Sequence, residues 1–465
     1  MVEDCTSRFA LMDDGLYPRF SSEELAKRRR SIVEMMEATG VSHLVAYGAE
    51  KVGSAIPWLT EWPTTTEAAL LFTPGETPLL LVQHYNHLPN ARAIASDCQV
   101  EWGGQSTITR LGELLRARRT PGQGVGVVGP LRFGDHQMLA SSVGELVGLD
   151  GDYQRLRLVK SPEEIERLEV AARLSDSAVN AIADQVEVGM DERQVAAIVE
   201  SAYLPDGGTN HIHYFAATSM AEPDKCVPSQ FQSTRRLQAG DILFCEISAA
   251  FWGYAGQVLR SFTIVADPTP LFADLHRAAD AAFDAIAAVV RPGAHAADLV
   301  AAAAVIEEMG FTTYDDLVHG YGGGYLPPIL GSSSRPNLPI PDLILEEGMA
   351  LVIQPNVITT DERAGVQTGH LVVVTSDGHR SLHDVPRGLV PDRLTPRRPA
   401  IEGAGRHSES SEPPGTASRY RRWAGGGAVE ARMARVGESS TRPGETESPA
   451  MRARSVLAAS APIFR

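Results

Sequence analysis

The chain has 465 residues, of which 43% are hydrophobic and 22% charged, and its formal net charge is -16 at pH 7. This length predicts two folded domains with additional segments. The acidic balance argues against nucleic acid or an anionic membrane as the main partner, because phosphate binding needs a basic surface, and no apolar run is long enough to span a bilayer.

The N-terminal sequence and the cysteines indicate a cytoplasmic protein. The segment MVEDCTSRFALMDDG lacks the basic flank and the apolar stretch of a secretory signal. The cysteines form no CxxC pair, which favours reduced thiols over a zinc knuckle or a disulfide framework. They are widely spaced, at Cys5, Cys98, Cys226 and Cys245.

The first part of the chain alternates helical and strand patterns. Residues 21–40, SSEELAKRRRSIVEMMEATG, predict a helix capped by Ser22 and ended by Gly40. AALLFTPGETPLLLVQ predicts a hairpin around a Pro-Gly turn, and VGVVG predicts a short buried strand. Together these patterns predict a small α/β domain over residues 1–155.

A second unit, residues 156–395, opens with a long amphipathic helix in which Ser161 caps and Pro162 fits the first turn. Residues 186–204 are faintly echoed by residues 289–311, and in each copy a glycine separates two helical patterns. The echo indicates a duplicated half-domain. A chance likeness between alanine-rich helices is the alternative.

The last segment, residues 396–465, is rich in Gly, Ser, Pro, Glu and Arg, contains no lysine and has no periodicity. This composition predicts a disordered tail. A species-specific extension and a shifted reading frame are both open hypotheses, and mass spectrometry of native protein separates them.

Residues 240–262, GDILFCEISAAFWGYAGQVLRSF, contain two strand-like runs around a bend. The stretch resembles the first metal-binding hairpin of the creatinase/aminopeptidase P family. In that family an aspartate follows a G-D-[IV] strand start, a second aspartate lies eleven residues on, and R-[ST]-F closes the second strand. Here Glu246 and Gln257 hold the aspartate positions, and Arg260 begins the closing motif.

Three later segments resemble the family's remaining ligand motifs. DDLVHGYGGGYLPP places His319 at the ligand histidine, and LEEGMALVIQPNVI has Gln354 in place of a glutamate. In GVQTGHLVVVT, Gly369 occupies a glutamate position and His370 follows it. The resemblance spans roughly residues 20–395. It implies an α/β (α+β) protein with an N-terminal creatinase-type domain followed by a C-terminal pita-bread domain.

The substitutions bear on the chemistry that the resemblance implies. The family's dinuclear site uses four carboxylates and one histidine, because two hard divalent cations need anionic oxygen ligands. The corresponding positions here supply one carboxylate and one histidine, since neutral amides stand at Gln257 and Gln354. We therefore expect no metal ligands and no cofactor.

The leading hypothesis is a metal-independent hydrolase that cleaves a C–N bond in a small amide, amidine or modified amino acid. By resemblance to creatinase, which works without metal, Glu246 and His319 are the candidate acid/base pair. The position that best matches creatinase's proton-transferring histidine is Ser229 here, a departure from the pattern. Substrate binding is assigned to Gln257, Gln354, His213, His370, Tyr254 and Arg260.

Two other functions stay open: a metal-dependent Xaa-Pro aminopeptidase or dipeptidase, and a non-catalytic pita-bread module that binds peptides. Structural alternatives also exist for single residues. Glu246 could pair with Arg260 on the facing strand, and His211 and His213 alternate on a probable strand and should share one face. Trp58 and Trp62 could overhang the site of a dimer mate or simply pack in a core. We expect a homodimer acting on a small molecule.

Overall fold

The computed structural model describes residues 10–11, 17–118 and 122–391. The predicted disordered tail lies outside the described residues. The helices are α1 Ser22–Thr39, α2 Ala55–Thr60, α3 Leu88–Ile94, α4 Thr107–Arg118, α5 Phe133–Val143, α6 Asp150–Leu156, α7 Pro162–Gln185, α8 Glu192–Tyr203, α9 Pro270–Val289, α10 Ala296–Ala302 and α11 Val305–Glu308.

The strands alternate with these helices, so the predicted α/β class is confirmed. They are β1 Ala10–Leu11, β2 Pro18–Arg19, β3 Val41–Gly48, β4 Ala68–Phe72, β5 Leu79–Val82, β6 Gln99–Trp102, β7 Gly124–Val128, β8 Leu146–Gly148, β9 Thr209–Ser219, β10 Asp241–Phe251, β11 Tyr254–Thr263, β12 Thr312–Thr313, β13 Val318–Tyr321, β14 Tyr325–Leu330, β15 Ala350–Ile353, β16 Val357–Ile358, β17 Gly369–Val374, β18 His379–Ser381 and β19 Val390–Pro391.

The small sheet has six strands in the order β6-β5-β4-β3-β7-β8. The predicted hairpin is its antiparallel β4–β5 pair, and the predicted buried strand is β7. Helix α1 begins one residue earlier than predicted, because the side chain of Ser21, not Ser22, accepts the hydrogen bond from the Glu24 amide. Gly40 ends this helix with φ 71°, as predicted.

The large sheet has nine strands, seven of them in the order β14-β13-β15-β17-β11-β10-β9, with β18 beside β17 and β19 beside β11. Helix α7 begins with the predicted Ser161 capping box and packs on β10 and β11. No helix among the described residues is long and apolar enough to cross a bilayer.

The faint sequence repeat corresponds to two similar helix pairs. Helix α8 follows Gly189 with a capping box at Asp191, and helix α10 follows Gly293 with a capping box at His295. Both glycines have positive φ, 94° and 85°, where a side chain would be strained. Each short helix also follows a long one, α7 or α9, so the two copies are built alike.

The two faces of the large sheet are distinguished by strand register. Directly opposed residues point to the same face, and the β10–β11 ladder pairs Glu246 with Leu259 and Cys245 with Arg260. We call the face that carries Glu246 the front and the face that carries Arg260 the rear. A buried Glu246 therefore cannot pair with Arg260, and that structural alternative is wrong.

Candidate active site

Four polar side chains meet on the front of the large sheet, and we call them the front cluster: Glu246, Gln257, His319 and Gln354. They come from β10, β11, β13 and the end of β15, so the sheet brings together residues that are far apart in sequence. The Gln257 Nε2 donates to Glu246 Oε1 at 2.8 Å and to Gln354 Oε1 at 2.7 Å. Glu246 is 4% exposed and the other three are 0% exposed.

The His319 ring is neutral. Its Nδ1 lies 3.1 Å from the Gly320 carbonyl oxygen, so Nδ1 carries the hydrogen and Nε2 presents a lone pair. Burial lowers the pKa of His319 to about 4, against the opposing effects of the Gly320 carbonyl and the nearby Gln354 amide.

The pKa of Glu246 is shifted in the opposite direction from that of His319. Burial, with the negative charges of Asp315 and Asp316, raises the pKa of Glu246 to about 8. Burial and the neighbouring Asp315 likewise raise the pKa of Asp316 to about 7. At neutral pH the Glu246 carboxyl therefore holds its proton, while the His319 imidazole of the same cluster does not.

Several buried atoms of the front face have no partner within hydrogen-bonding geometry among the described residues. They include His319 Nε2, Gln257 Oε1, Gln354 Nε2, Ser248 Oγ and the Tyr321 hydroxyl. Buried polar groups are normally hydrogen-bonded, so a concentration of unpaired donors and acceptors marks a place that water or a polar ligand can satisfy. The sheet thus holds a polar set that its own packing does not complete.

Tyr325 covers the His319 ring. The two rings stack at a centroid distance of 3.9 Å with an interplanar angle of 18°, and Tyr325 is 41% exposed. It follows three glycines, Gly322 to Gly324, whose φ values are all positive, a conformation that side chains disfavour. Tyr325 also borders a cleft of about 360 Å³ that is lined in part by Tyr153 and Arg157.

Two residues assigned to substrate binding lie on the rear face instead. Arg260 donates to His370 Nε2 at 2.5 Å and to the carbonyls of Leu259, Gly369, Val385 and Pro386. The β11–β17 register pairs His370 with Val258, on the same face as Arg260. The motif match located both residues on the correct strands, but the alternation of the strand directs them away from the front cluster.

His213 and Tyr254 are not brought to the front cluster either. His213 stands opposite Ile247 on the rear face, with its Nε2 3.2 Å from the Tyr203 hydroxyl. Tyr254 lies near the hairpin turn and donates to Glu164 Oε1 at 2.7 Å.

The expectations for the histidine pair on β9 and for the two tryptophans of the first domain have different outcomes. A β-bulge opposite Ser248 and Ala249 separates His211 from His213, and His211 instead lies 6.2 Å from the front-face Tyr321 ring, so the expected shared face is wrong. Trp58 and Trp62 are 6% and 7% exposed and pack in the core beside the small sheet, which favours the core-packing alternative for both.

The donor set does not fit a pair of divalent cations. Gln257 directs its N–H groups at Glu246 and Gln354, so amide hydrogens occupy the space between the side chains where cations would need oxygen ligands. Within the described ranges, no group of three or more His, Cys, Asp or Glu side chains is arranged to hold a metal ion. The single carboxylate of the front cluster is itself protonated at neutral pH.

Several residues of this region carry no signal in the motifs. Tyr214, opposite Glu246 in the β9–β10 ladder, and Ser248 share the front face with the predicted residues. Alternation along β10 could have identified Ser248, two residues after Glu246. Asp315 and Asp316 precede the His319 strand as a pair of like charges, but nothing local showed that they would approach Glu246.

Comparisons with known proteins agree with this fold. Residues 166–376 match the model of metallopeptidase family M24. The chain is 27% identical over 252 residues to an Xaa-Pro dipeptidase of Pyrococcus furiosus, covering 54% of this chain and 70% of that protein. It is 30% identical over 263 residues to the probable dipeptidase PepE of Mycobacterium tuberculosis, covering 54% and 66%.

A solved structure extends the likeness beyond the matched region. The dipeptidase PepE from Mycobacterium ulcerans superimposes with a TM-score of 0.68 at 24% identity, over 80% of this chain and 99% of that chain. At this identity the likeness establishes the fold. The predicted combination of a creatinase-type domain and a pita-bread domain is confirmed.

Proposed function

The chain belongs to the creatinase/aminopeptidase P family of pita-bread hydrolases, which act on C–N bonds, and we propose that it hydrolyses a small amide, amidine or modified amino acid without a two-metal centre. One observation carries the proposal: in the front cluster, a carboxyl that keeps its proton at neutral pH lies near an imidazole that does not accept one. Groups whose environments move their pKa values apart are suited to act as acid and base.

The roles follow from these protonation states. His319 Nε2 accepts a proton from the attacking water as the oxygen bonds to the substrate carbon. Glu246 gives its proton to the leaving nitrogen as the C–N bond breaks. Exchange with solvent then returns a proton to Glu246 and removes one from His319. Both groups start neutral, so the buried site holds no uncompensated charge before the reaction.

The two glutamines connect the acid and the base. Gln257 hydrogen-bonds both Glu246 and Gln354, and Gln354 lies close enough to His319 to affect its pKa. Gln257 Oε1 and Gln354 Nε2 are left to hydrogen-bond an amide or amidine placed between the two ends. Because His319 is fully buried beneath Tyr325, entry requires that ring to move, and the three preceding glycines permit the backbone change.

The proposal extends to the organisation of the protein. We assign residues 1–155 to a first domain and residues 156–395 to the domain that carries catalysis, since the front cluster lies wholly in the second range. We propose a cytoplasmic homodimer acting on a small-molecule substrate. The free thiols of Cys98, Cys226 and Cys245 support the location, and the dimer rests on the family resemblance.

Two alternatives remain as outcomes of the test. The match to a metallopeptidase family and the dipeptidase names of the relatives favour a metal-dependent Xaa-Pro dipeptidase. The lost ligands equally suit a pita-bread module that binds peptides without cleaving them. The unpaired front-face atoms favour a ligand site in either case. Only the opposed pKa values distinguish a hydrolytic site from a binding site.

The deciding experiment combines a metal measurement with a substrate panel. Purified protein is incubated with excess manganese, cobalt or zinc, desalted and analysed for metal, and is then assayed against small amides, amidines and Xaa-Pro dipeptides. We expect less than one retained metal per subunit and turnover of an amide or amidine that His319→Asn abolishes. Two retained metals with Xaa-Pro cleavage would replace the proposal with the dipeptidase. Substrate-like binding without turnover would replace it with the binding module.

A further inference from the structure

A second polar set lies on the rear face, directly behind the front cluster. We call it the rear cluster, and it consists of Asp176, Arg260, His370, Ser381 and His383. The His383 Nδ1 lies 2.7 Å from Asp176 Oδ1, and its Nε2 lies 2.9 Å from the backbone carbonyl oxygen of Gln257. Asp176 also accepts the Asp384 amide at 2.7 Å, which fixes the carboxylate.

The His383 contact to Gln257 lies where the ladder between β11 and β17 ends. Strands β11 and β17 pair only at Val258 with His370 and at Leu259 with Gly369. At the next residue of β17, the Leu371 carbonyl accepts from the Leu382 amide, which belongs to the chain that continues from β18. The imidazole of His383 therefore reaches the Gln257 carbonyl at the end of the β11–β17 ladder, where β18 takes the place of β11 beside β17.

Both nitrogens of His383 face oxygen atoms that can only accept. A ring in this arrangement donates at both ends, to Asp176 and to Gln257. The His383 side chain is fully buried and that of Asp176 is 8% exposed, so the pair has little freedom to turn. The orientation of His383 is thus set by the carboxylate behind it, in the way that a carboxylate orients a histidine in many sites.

We propose that His383, oriented by Asp176, is a positioning residue that fixes Gln257 from behind the sheet and thereby sets the spacing of Glu246 and Gln354. This inference rests on the proposed function. Gln257 is the member of the front cluster that hydrogen-bonds two others, so a shift of its backbone moves both contacts together. A misplacement of about 1 Å at such a point is enough to cost about a hundredfold in rate.

The test distinguishes the effect of the hydrogen-bond donor at residue 383 from the effect of the buried charge pair between Asp176 and His383. In an Asp176→Asn background, which removes the charge that a lost histidine would leave unpaired, His383→Gln retains an N–H donor and His383→Met has none. We expect the methionine variant to lose about ten- to a hundredfold in kcat, with KM changed less than threefold, and the glutamine variant to recover most of that loss.

A second readout needs no substrate. With histidine labelled in the ring carbon, the His319 resonance should shift in the methionine variant and return towards its original position in the glutamine variant. The control is Leu111→Ala. Leu111 is fully buried against the small sheet, so its truncation should lower stability by a similar amount without moving the His319 resonance.

The outcomes distinguish the two proposals. If no compound in the panel is hydrolysed, the proposed function fails, but the His319 resonance still decides the positioning role. If the methionine variant leaves that resonance and kcat like those of the Leu111→Ala control at equal loss of Tm, His383 only stabilises the fold, and the inference is overturned.

Discussion

The front and rear clusters occupy opposite faces of the same strands, yet they use their polar atoms differently. On the rear, Arg260 makes five hydrogen bonds, and none of the buried side-chain atoms of the rear cluster lacks a partner in the described part of the chain. On the front, His319, Gln257 and Gln354 each leave an atom unpaired.

The rear cluster therefore supports the sheet, whereas the front cluster keeps polar atoms available for a ligand. A fully connected buried network rigidifies the backbone around it, whereas one that is partly satisfied keeps binding capacity at a cost in stability. The large sheet therefore presents its incomplete polar face on a backbone that the rear cluster fixes. Substitutions on the front should change activity more than stability. Substitutions on the rear should lower stability, and at His383, which contacts Gln257, they should lower activity as well.

The largest effect is expected for His319→Asn. The variant removes the proposed proton acceptor, so kcat on the hydrolysed amide or amidine should fall by about 10²- to 10⁴-fold. Stability in urea should change little, because the ring has few hydrogen bonds to lose. Retention of kcat within threefold would remove His319 from the mechanism and weaken the contrast between the two faces.

Arg260→Met should give the next largest effect, this time on stability. The change removes the buried hydrogen-bond donor of the His370 ring and of three backbone carbonyls, those of Gly369, Val385 and Pro386. We expect a loss of about 3–5 kcal/mol in the free energy of unfolding, measured by urea denaturation. A loss below about 1 kcal/mol would mean that the rear cluster does not support the sheet as described.

Glu246→Gln should stabilise the protein while it abolishes turnover. The pKa of Glu246 is raised from 4.5 to about 8, so the folded protein holds a proton that the unfolded chain releases as pH rises above 4.5. Stability from this group is present below pH 4.5 and declines until about pH 8. The variant should therefore gain on the order of 3 kcal/mol at pH 7 relative to the wild type.

The measurement is the difference in urea stability between Glu246→Gln and wild type at pH 5 and pH 8. The gain should be larger at pH 8. An equal gain at both values would show that Glu246 is not protonated in the folded protein. The same protonation states predict that kcat falls above about pH 8, where Glu246 ionises, and below about pH 4, where His319 becomes charged.

The smallest effect is expected for Arg380→Ala at the edge of the same sheet. Arg380 pairs with Glu169 at 2.7 Å, but the side chains are 49% and 29% exposed. Exposed ion pairs contribute about 0–1 kcal/mol, so urea stability should fall by less than about 1 kcal/mol. A loss as large as that of Arg260→Met would show that burial does not explain the strength of the rear cluster.

The sequence by itself determined the local elements and the members of the front cluster. The Ser161 cap, the hairpin around Pro-Gly and the helix end at Gly40 follow from residues that are neighbours in the chain. Glu246, Gln257, His319 and Gln354 were identified because each stands at a fixed offset within a recognisable strand motif. Motif order then sufficed to predict that the strands meet in one sheet.

Only the tertiary structure decided which face each side chain takes and how far its proton affinity moves. Arg260 and His370 were assigned to the site because their strands were correct, but one residue of offset directs a side chain to the opposite face. His383 and Asp176 come from beyond the motifs and meet at Gln257 only after the sheet forms. The pKa values of Glu246 and His319 depend on burial and on charges from other elements, which no local pattern contains.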